Sequence, residues 1–259
     1  MRLQHEGPSQ GRFLLVVGEW DPPLVAHASL FRELVQEAES VGLKVLAVTL
    51  DPSPSGYLLG ARLHPPLHDV VARQFFQAQC GVQTRAVVSL TQLEVEKCGA
   101  DYLLSELCSA FTIVQMAHGA RQSLGRGELG DSRAIIEACC KRSIQPRKLP
   151  SVRSRMPVVD ARNFLRSGKV RSASDLLGSP FYWSRPRDGY VCVPWPAGRY
   201  TALGLQQPFL TADEAGAEIS VDLTPFGELS RVCWPDDATP WLGFVAGPGD
   251  TPAINDSSR

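Results

Sequence analysis

An apolar run, FLLVV at 13–17, leads into Gly18-Glu19-Trp20-Asp21-Pro22-Pro23-Leu24, and His27 follows at the start of an amphipathic stretch. A buried strand, a glycine turn, an acid and a histidine opening a helix are the parts of a phosphate-binding loop, because the free amides and dipole of a helix N-terminus attract anions. In such a loop a glycine admits close backbone approach. Pro22 and Pro23 oppose this chemistry, since each lacks an N–H and fixes φ. Ala26 adds a Cβ nearby. His27 can equally open its helix with no ligand, and Asp21 can be a simple turn residue.

Arg162, read by itself, is a solvated surface group. It lies in the most basic part of the chain, Lys141 to Arg171, where Asp160 is the single acid. That segment reads first as a solvated basic face and second as an anion cleft; nucleic acid is not the expected partner. His64 and His68 stand four apart, but Pro65 and Pro66 between them forbid a helix that would align two ligands, so no metal site is expected. The 7 cysteines are an odd number with no C-x-x-C spacing, which argues against a disulfide framework or a zinc site and for a reducing cytoplasm. The neighbours Cys139 and Cys140 read as packing residues.

The elements that position these residues alternate. After the strand at 13–17, Leu30, Leu34, Val35, Ala38 and Val41 form a helical stripe that Gly42 ends. KVLAVTL (44–50) is a second buried strand. HDVVARQFFQAQCGVQTRAVVSL gives a helix ending near Gly81 and a third strand. A helix over 99–107 and a fourth strand in AFTIVQMAHGA follow, and Asp131 is placed to cap the helix in SRAIIEACCKR. Alternating strand and helix predict a doubly wound, Rossmann-like parallel sheet. From about Tyr182 the runs are short and alternating (GYVCVPW, GRYTALGL, AEISVDL, ELSRVCW, PWLGFVA), which predicts a small all-β domain. The expected domains are thus 1–183, 184–247 and a disordered tail, 248–259.

With 259 residues, 44% hydrophobic and 20% charged at a formal net charge of −1, the composition is that of an ordinary globular protein. No apolar run approaches the roughly 20 residues needed to span a bilayer. The N-terminal MRLQHEGPSQGR lacks the pattern of a secretory signal. No membrane partner is expected, and the sequence is silent on oligomeric state.

Several windows, taken in order, resemble the bacterial bifunctional riboflavin kinase/FAD synthetase family. The family's G-x-F-D-G-V-H-x-G-H falls on Gly18-Glu-Trp-Asp21-Pro-Pro-Leu24-Val-Ala26-His27. Its T-F-D-P-H-P is in register with Thr49-Leu-Asp51-Pro52-Ser53-Pro54. Its flavin-side loop G-x-D-F-x-F-G-x-x-x-x-G-D meets Gly119-Ala-Arg-Gln-Ser-Leu-Gly125-Arg-Gly-Glu-Leu-Gly130-Asp131, which keeps the glycines and loses the D-F-x-F core. The family's S-S-T-x-I-R, helix and L-L-G-R-P-Y are answered by VVDARNFLRSGKVRSASDLLGSPF, with Arg162 matching and Val158 and Val159 in place of hydroxyls. The resemblance spans about 13–183. A G-x-P-T-A-N-type kinase motif is missing, and 184–247 is too short for the full kinase barrel.

The resemblance implies a nucleotidyltransferase domain that passes AMP from ATP, or another nucleotidyl group from another NTP, to FMN or a further phosphorylated acceptor with loss of diphosphate. Mg2+ is a possible companion and FMN/FAD the flavin ligand. It implies catalytic roles for His27 and Arg162, and a nucleotide-binding set of Gly18, Asp21, His27 and Arg162. The flavin or acceptor set is Asp51, His118, Gly119, Gly125 and Gly130. Leu24 replaces one of two phosphate-binding histidines, and loss of such a donor costs about 3–4 kcal/mol in the barrier. The expectation is a divergent, FAD synthetase-like nucleotidyltransferase of altered or weakened activity. Two alternatives stay open: a catalytically degenerate flavin- or nucleotide-binding protein, and a fold recruited to another reaction or to partner binding. Trp183, Trp195, Trp234 and Trp241 would supply a surface for the last, although core packing explains tryptophans as well.

Overall fold

The computed structural model describes residues 1–51, 67–89, 91, 99–119, 122–124, 130–149, 158–177, 181–184, 198–205, 218–223, 229–232, 241–247 and 250. It divides into two compact units, Met1–Pro66 with Arg73–Ser154, and Leu67–Ala72 with Arg155–Arg259.

The first unit is built from β1 (Arg2–Glu6), β2 (Arg12–Gly18), α1 (Val25–Ser40), β3 (Lys44–Leu50), α2 (Val70–Gln79, which enters the unit at Arg73), β4 (Thr84–Ser89), α3 (Ala100–Ala110), β5 (Thr112–His118), α4 (Ser132–Lys141) and β6 (Gln145–Lys148). The six-stranded sheet runs β1-β4-β3-β2-β5-β6. Strands β2 to β6 are parallel, and β1 pairs antiparallel on the β4 edge. Strand side chains alternate between faces. Phe13, Leu15 and Val17 of β2 join a core with Leu103, Leu104 and Leu107 of α3 and Ile135 and Ala138 of α4. Leu14 and Val16 join another with Phe31, Leu34 and Ala38 of α1. Burial on both faces is why β2 and β3 read as continuous apolar runs. The doubly wound sheet is the one the sequence implies.

Three local details differ from the sequence reading. Strand β1 was not expected; its alternate residues are polar because only one sheet edge and one face hold it. Strand β6 lies in the basic segment, where Gln145-Pro-Arg-Lys148 carries no strand pattern. The α1 stripe holds except at its end: Leu34, Val35 and Ala38 are buried with Ala28 and Phe31, and Leu30 packs half-buried on the same core, whereas Val41 is 58% exposed. Val41 is the C-cap, beyond the last turn that faces the sheet. Gly42 then takes φ +68, its N–H donating to the Glu39 carbonyl at 3.1 Å and Leu43 reaching Ala38 at 2.8 Å, the left-handed ending that glycine allows.

Asp131 is the N-cap of α4, its carboxylate accepting from the Ala134 N–H at 2.8 Å. Replacing it orphans one of the helix's first amides. Asp131→Ala is expected to lower stability by about 1 kcal/mol, seen as an earlier urea midpoint at unchanged slope.

The second unit carries α5 (Val158–Arg166), α6 (Val170–Leu177), β7 (Phe181–Ser184), β8 (Gly198–Leu205), β9 (Glu218–Leu223), β10 (Leu229–Val232) and β11 (Trp241–Ala246). Its antiparallel sheet runs β10-β9-β8-β11-β7. Tyr200, Ala202, Phe181 and Phe244 are buried, with the rings of Tyr200 and Phe244 edge to face at 6.3 Å. The small β domain follows the α/β domain as expected. The unit boundary falls before Arg155 rather than after 183, because β7 pairs with β11 and α6 packs on β11. The GYVCVPW run and the tail beyond 250 lie outside the described residues.

Among the described residues no helix is long and apolar enough to cross a membrane, and no group of three or more His, Cys, Asp or Glu side chains is placed to hold a metal. Cys80, Cys108, Cys139 and Cys140 are free thiols. Burial pushes the Cys139 thiol up to about 11, and its Sγ rests 3.7 Å from the Met116 sulfur, which fits a packing residue.

Candidate functional site

Strand order reverses between β2 and β5: the chain moves from β2 to β3 and β4 on one side, and from β5 to β6 on the other. In open α/β sheets, ligands enter the crevice at the carboxyl ends of the strands flanking such a reversal. Here those ends are Gly18 on β2 and His118-Gly119 after β5. Gly18 also lies in register with Thr49 on β3, so the first unit gathers Gly18, Asp21, His27, Asp51, His118 and Gly119 from the strand ends and the turns that follow them.

Trp20 changes what this place offers. It sits at φ +53 and folds its indole back over Gly18, so that a Cβ on Gly18 would stand 2.7 Å from the ring. The indole N–H donates to the Val48 carbonyl at 3.1 Å. The close approach that Gly18 permits is therefore made by Trp20. Phe31 supports the indole at a centroid distance of 4.7 Å, and the His27 ring meets its edge at 5.6 Å. Pro22, Pro23 and Leu24 are buried and Ala26 is exposed, so the turn is closed by apolar side chains.

His27 is the third residue of α1, and its Nδ1 accepts the Leu24 N–H at 3.3 Å. The ring thus satisfies an amide of its own helix start, the role a capping-box residue plays. Burial pushes its imidazole below the ordinary histidine range; a hydrogen bond with the Pro22 backbone and the charge of Asp21 oppose that shift. A folded-state value below the unfolded 6.5 means that the unfolded chain binds more protons, so this contribution to stability is present above pH 6.5 and is lost as the pH falls below it. Urea midpoints measured from pH 7.5 down to 5 are expected to drop, and less steeply in His27→Asn.

Asp51 follows β3 and pairs with Arg73 of α2, whose other terminal nitrogen donates to the Glu19 carbonyl at 2.8 Å. Four residues on, Gln77 donates to the Thr49 hydroxyl at 3.0 Å. His118 is 1% exposed, with its Nδ1 3.5 Å from the Ser132 hydroxyl at the start of α4. The Gly119 N–H donates to Gln122 Oε1 at 2.9 Å, while Gln122 Nε2 donates to the Val17 carbonyl at 2.7 Å. The Gly130 carbonyl accepts from Leu124 at 2.8 Å, and Gly125 lies outside the described residues. Arg162 is half-buried on α5 and belongs to the second unit; Val159 beside it is 64% exposed. Of the basic segment, Arg142 and Lys141 pair with Asp101 at 2.7 and 3.6 Å, and Arg147 pairs with Glu37 at 2.5 Å; the Arg142 and Arg147 side chains are half-buried.

Trp20, Arg73, Gln77 and Gln122 do not stand out in the sequence as site residues. Arg73 and Gln77 do leave a trace there: with Ala72 they lie on the buried face of α2, where polar side chains need a reason.

No known family model matches the chain. Among solved structures, it is similar to a macrolide-efflux protein from Streptococcus pneumoniae, with a TM-score of 0.60 and 14% identity over 96% of this chain and 89% of that one. The likeness at that identity is one of fold.

Proposed function

We propose that the first unit is a flavin- or nucleotide-binding relative of the FAD synthetase nucleotidyltransferases in which adenylyl transfer is absent or greatly slowed. The observation that carries this reading is the inward use of the polar groups around the crevice. The Nδ1 of His27 accepts from its own helix start, Asp51 holds Arg73, and Trp20 covers Gly18. Transfer of a nucleotidyl group depends on preorganised donors aimed at charge that develops on phosphate oxygens, and here the polar side chains around the strand ends, Arg73 included, serve the fold. Binding asks less, because a crevice at a strand-order reversal needs only shape and a few polar groups.

A second reading, a working transferase with a changed acceptor, draws on His118 beside Ser132 at the start of α4. A thermal-shift panel of ATP, CTP, FMN, FAD and riboflavin, with and without Mg2+, tests the proposal, since a ligand bound only by the folded state raises the melting point. At least one flavin or adenine nucleotide is expected to stabilise, with no diphosphate released from ATP plus FMN. Diphosphate release that disappears in His27→Ala and Arg162→Ala would instead establish the transferase. No stabilisation by any of the five would leave only the recruited-fold reading.

A further inference from the structure

The carboxamide of Gln122 bridges two backbone groups on opposite sides of the strand-order reversal. Its NH2 donates to the Val17 carbonyl at 2.7 Å, and its oxygen accepts from the Gly119 N–H at 2.9 Å. The last β2–β5 pair in register is Val16 with Ala117, so the two groups lie just beyond the end of the ladder, where the strands part. One acceptor and one donor side by side, fixed by the sheet, recognise any planar group with an adjacent donor and acceptor. A primary carboxamide is such a group. So are the N6–H/N1 edge of adenine and the N3–H/O4 edge of a flavin.

We infer that Gln122 is an internal stand-in for a ligand, and that the Val17 carbonyl and Gly119 N–H form a base-edge site entered by a planar heterocycle that displaces the carboxamide. The inference rests on the nucleotide-binding reading above and adds to it the chemical class of the ligand and an autoinhibited resting state. Displacement exchanges two hydrogen bonds for two, so the edge contacts alone add little net affinity in the wild type. The closed state holds down apparent affinity by the fraction of molecules that are open. Gln122→Ala removes the competitor and leaves both backbone groups in place. Gln122→Met does the same while keeping side-chain volume, and it carries the test if the alanine variant folds poorly.

Dissociation constants for FMN and for ATP are measured by titration calorimetry on the full-length wild type and both variants. Binding by the wild type, tightened about tenfold in the variants, is expected, the order that a pair of net hydrogen bonds favouring the closed state gives. The two ligands separate the imide from the amidine edge: the one whose affinity rises is the one read. Its blocked analogue, 3-methyl-FMN or N6,N6-dimethyl-ATP, is expected to lose the gain. Equal affinity in wild type and variants, or weaker binding in both variants, overturns the stand-in and leaves nucleotide binding intact. Failure of FMN and ATP to bind any of the three proteins overturns both.

Discussion

Arg73→Ala is expected to destabilise the protein by about 3 kcal/mol, because it breaks a buried pair and takes a donor from a carbonyl. The Arg73 side chain is 2% exposed and that of its partner Asp51 is 32% exposed. Removing the guanidinium therefore leaves a carboxylate that water reaches only in part, which holds the cost toward the lower end of what breaking a buried pair takes. The Glu19 carbonyl, which receives the other nitrogen at 2.8 Å, loses that donor as well. One side chain on α2 thus ties the segments leaving β2 and β3. Arg73→Lys keeps a charge but has no fork to reach two acceptors in different directions, and it is expected to recover about half of the loss. The double variant Arg73→Met, Asp51→Asn should be more stable than Arg73→Met alone, since the uncompensated charge is gone. Urea unfolding of these variants beside the wild type decides this. Equal midpoints for wild type and Arg73→Ala would mean that the pair contributes nothing net.

The same arginine bears on the site. The proposed function sets Asp51 on the acceptor side. Here that carboxylate holds the frame. A ligand that needed Asp51 would have to compete with a guanidinium already bound to it.

The frame was legible because its signals are local and redundant. FLLVV and KVLAVTL announce strands buried on both faces, Gly42 ends α1, and Asp131 caps α4 where a cap was expected. Strand β1 and strand β6 were not legible, because an edge strand of polar residues and a four-residue strand containing Pro146 are made by their neighbours rather than by pattern. The positions of the candidate residues along the strands follow from the sequence pattern, and their contacts do not. The structure puts Gly18, Asp51 and Gly119 at carboxyl ends of strands and His27 in the first turn of α1. Sequence spacing says nothing of a tryptophan that turns back on its own strand, or of a glutamine that closes a gap to a residue more than a hundred positions away. Those contacts depend on χ angles and long-range register, which the order of residues along the chain does not display.

Phe31 and Val41 make the point measurable, and Phe31→Ala is expected to cost more stability than either Arg73→Ala or Asp131→Ala. Both Phe31 and Val41 are apolar residues within the helical pattern of 24–41. The ring of Phe31 is fully buried, tilted against Trp20 at 4.7 Å and edge-on to Phe76 at 6.4 Å. Truncation to alanine removes the ring's transfer energy and leaves a cavity between α1, α2 and the sheet, a loss of about 3–5 kcal/mol. It also removes the support under the indole that covers Gly18, so hydrogen exchange in the 16–20 segment should quicken beyond what the lower global stability explains. Val41→Ala, at a C-cap that is 58% exposed, should stay within about 0.5 kcal/mol of wild type. A Phe31→Ala protein that loses stability while keeping slow exchange at 16–20 would mean that Trp20 is held by its own hydrogen bond to Val48 and by Gly18. The closure of the crevice would then be a property of the turn alone, independent of the helix behind it.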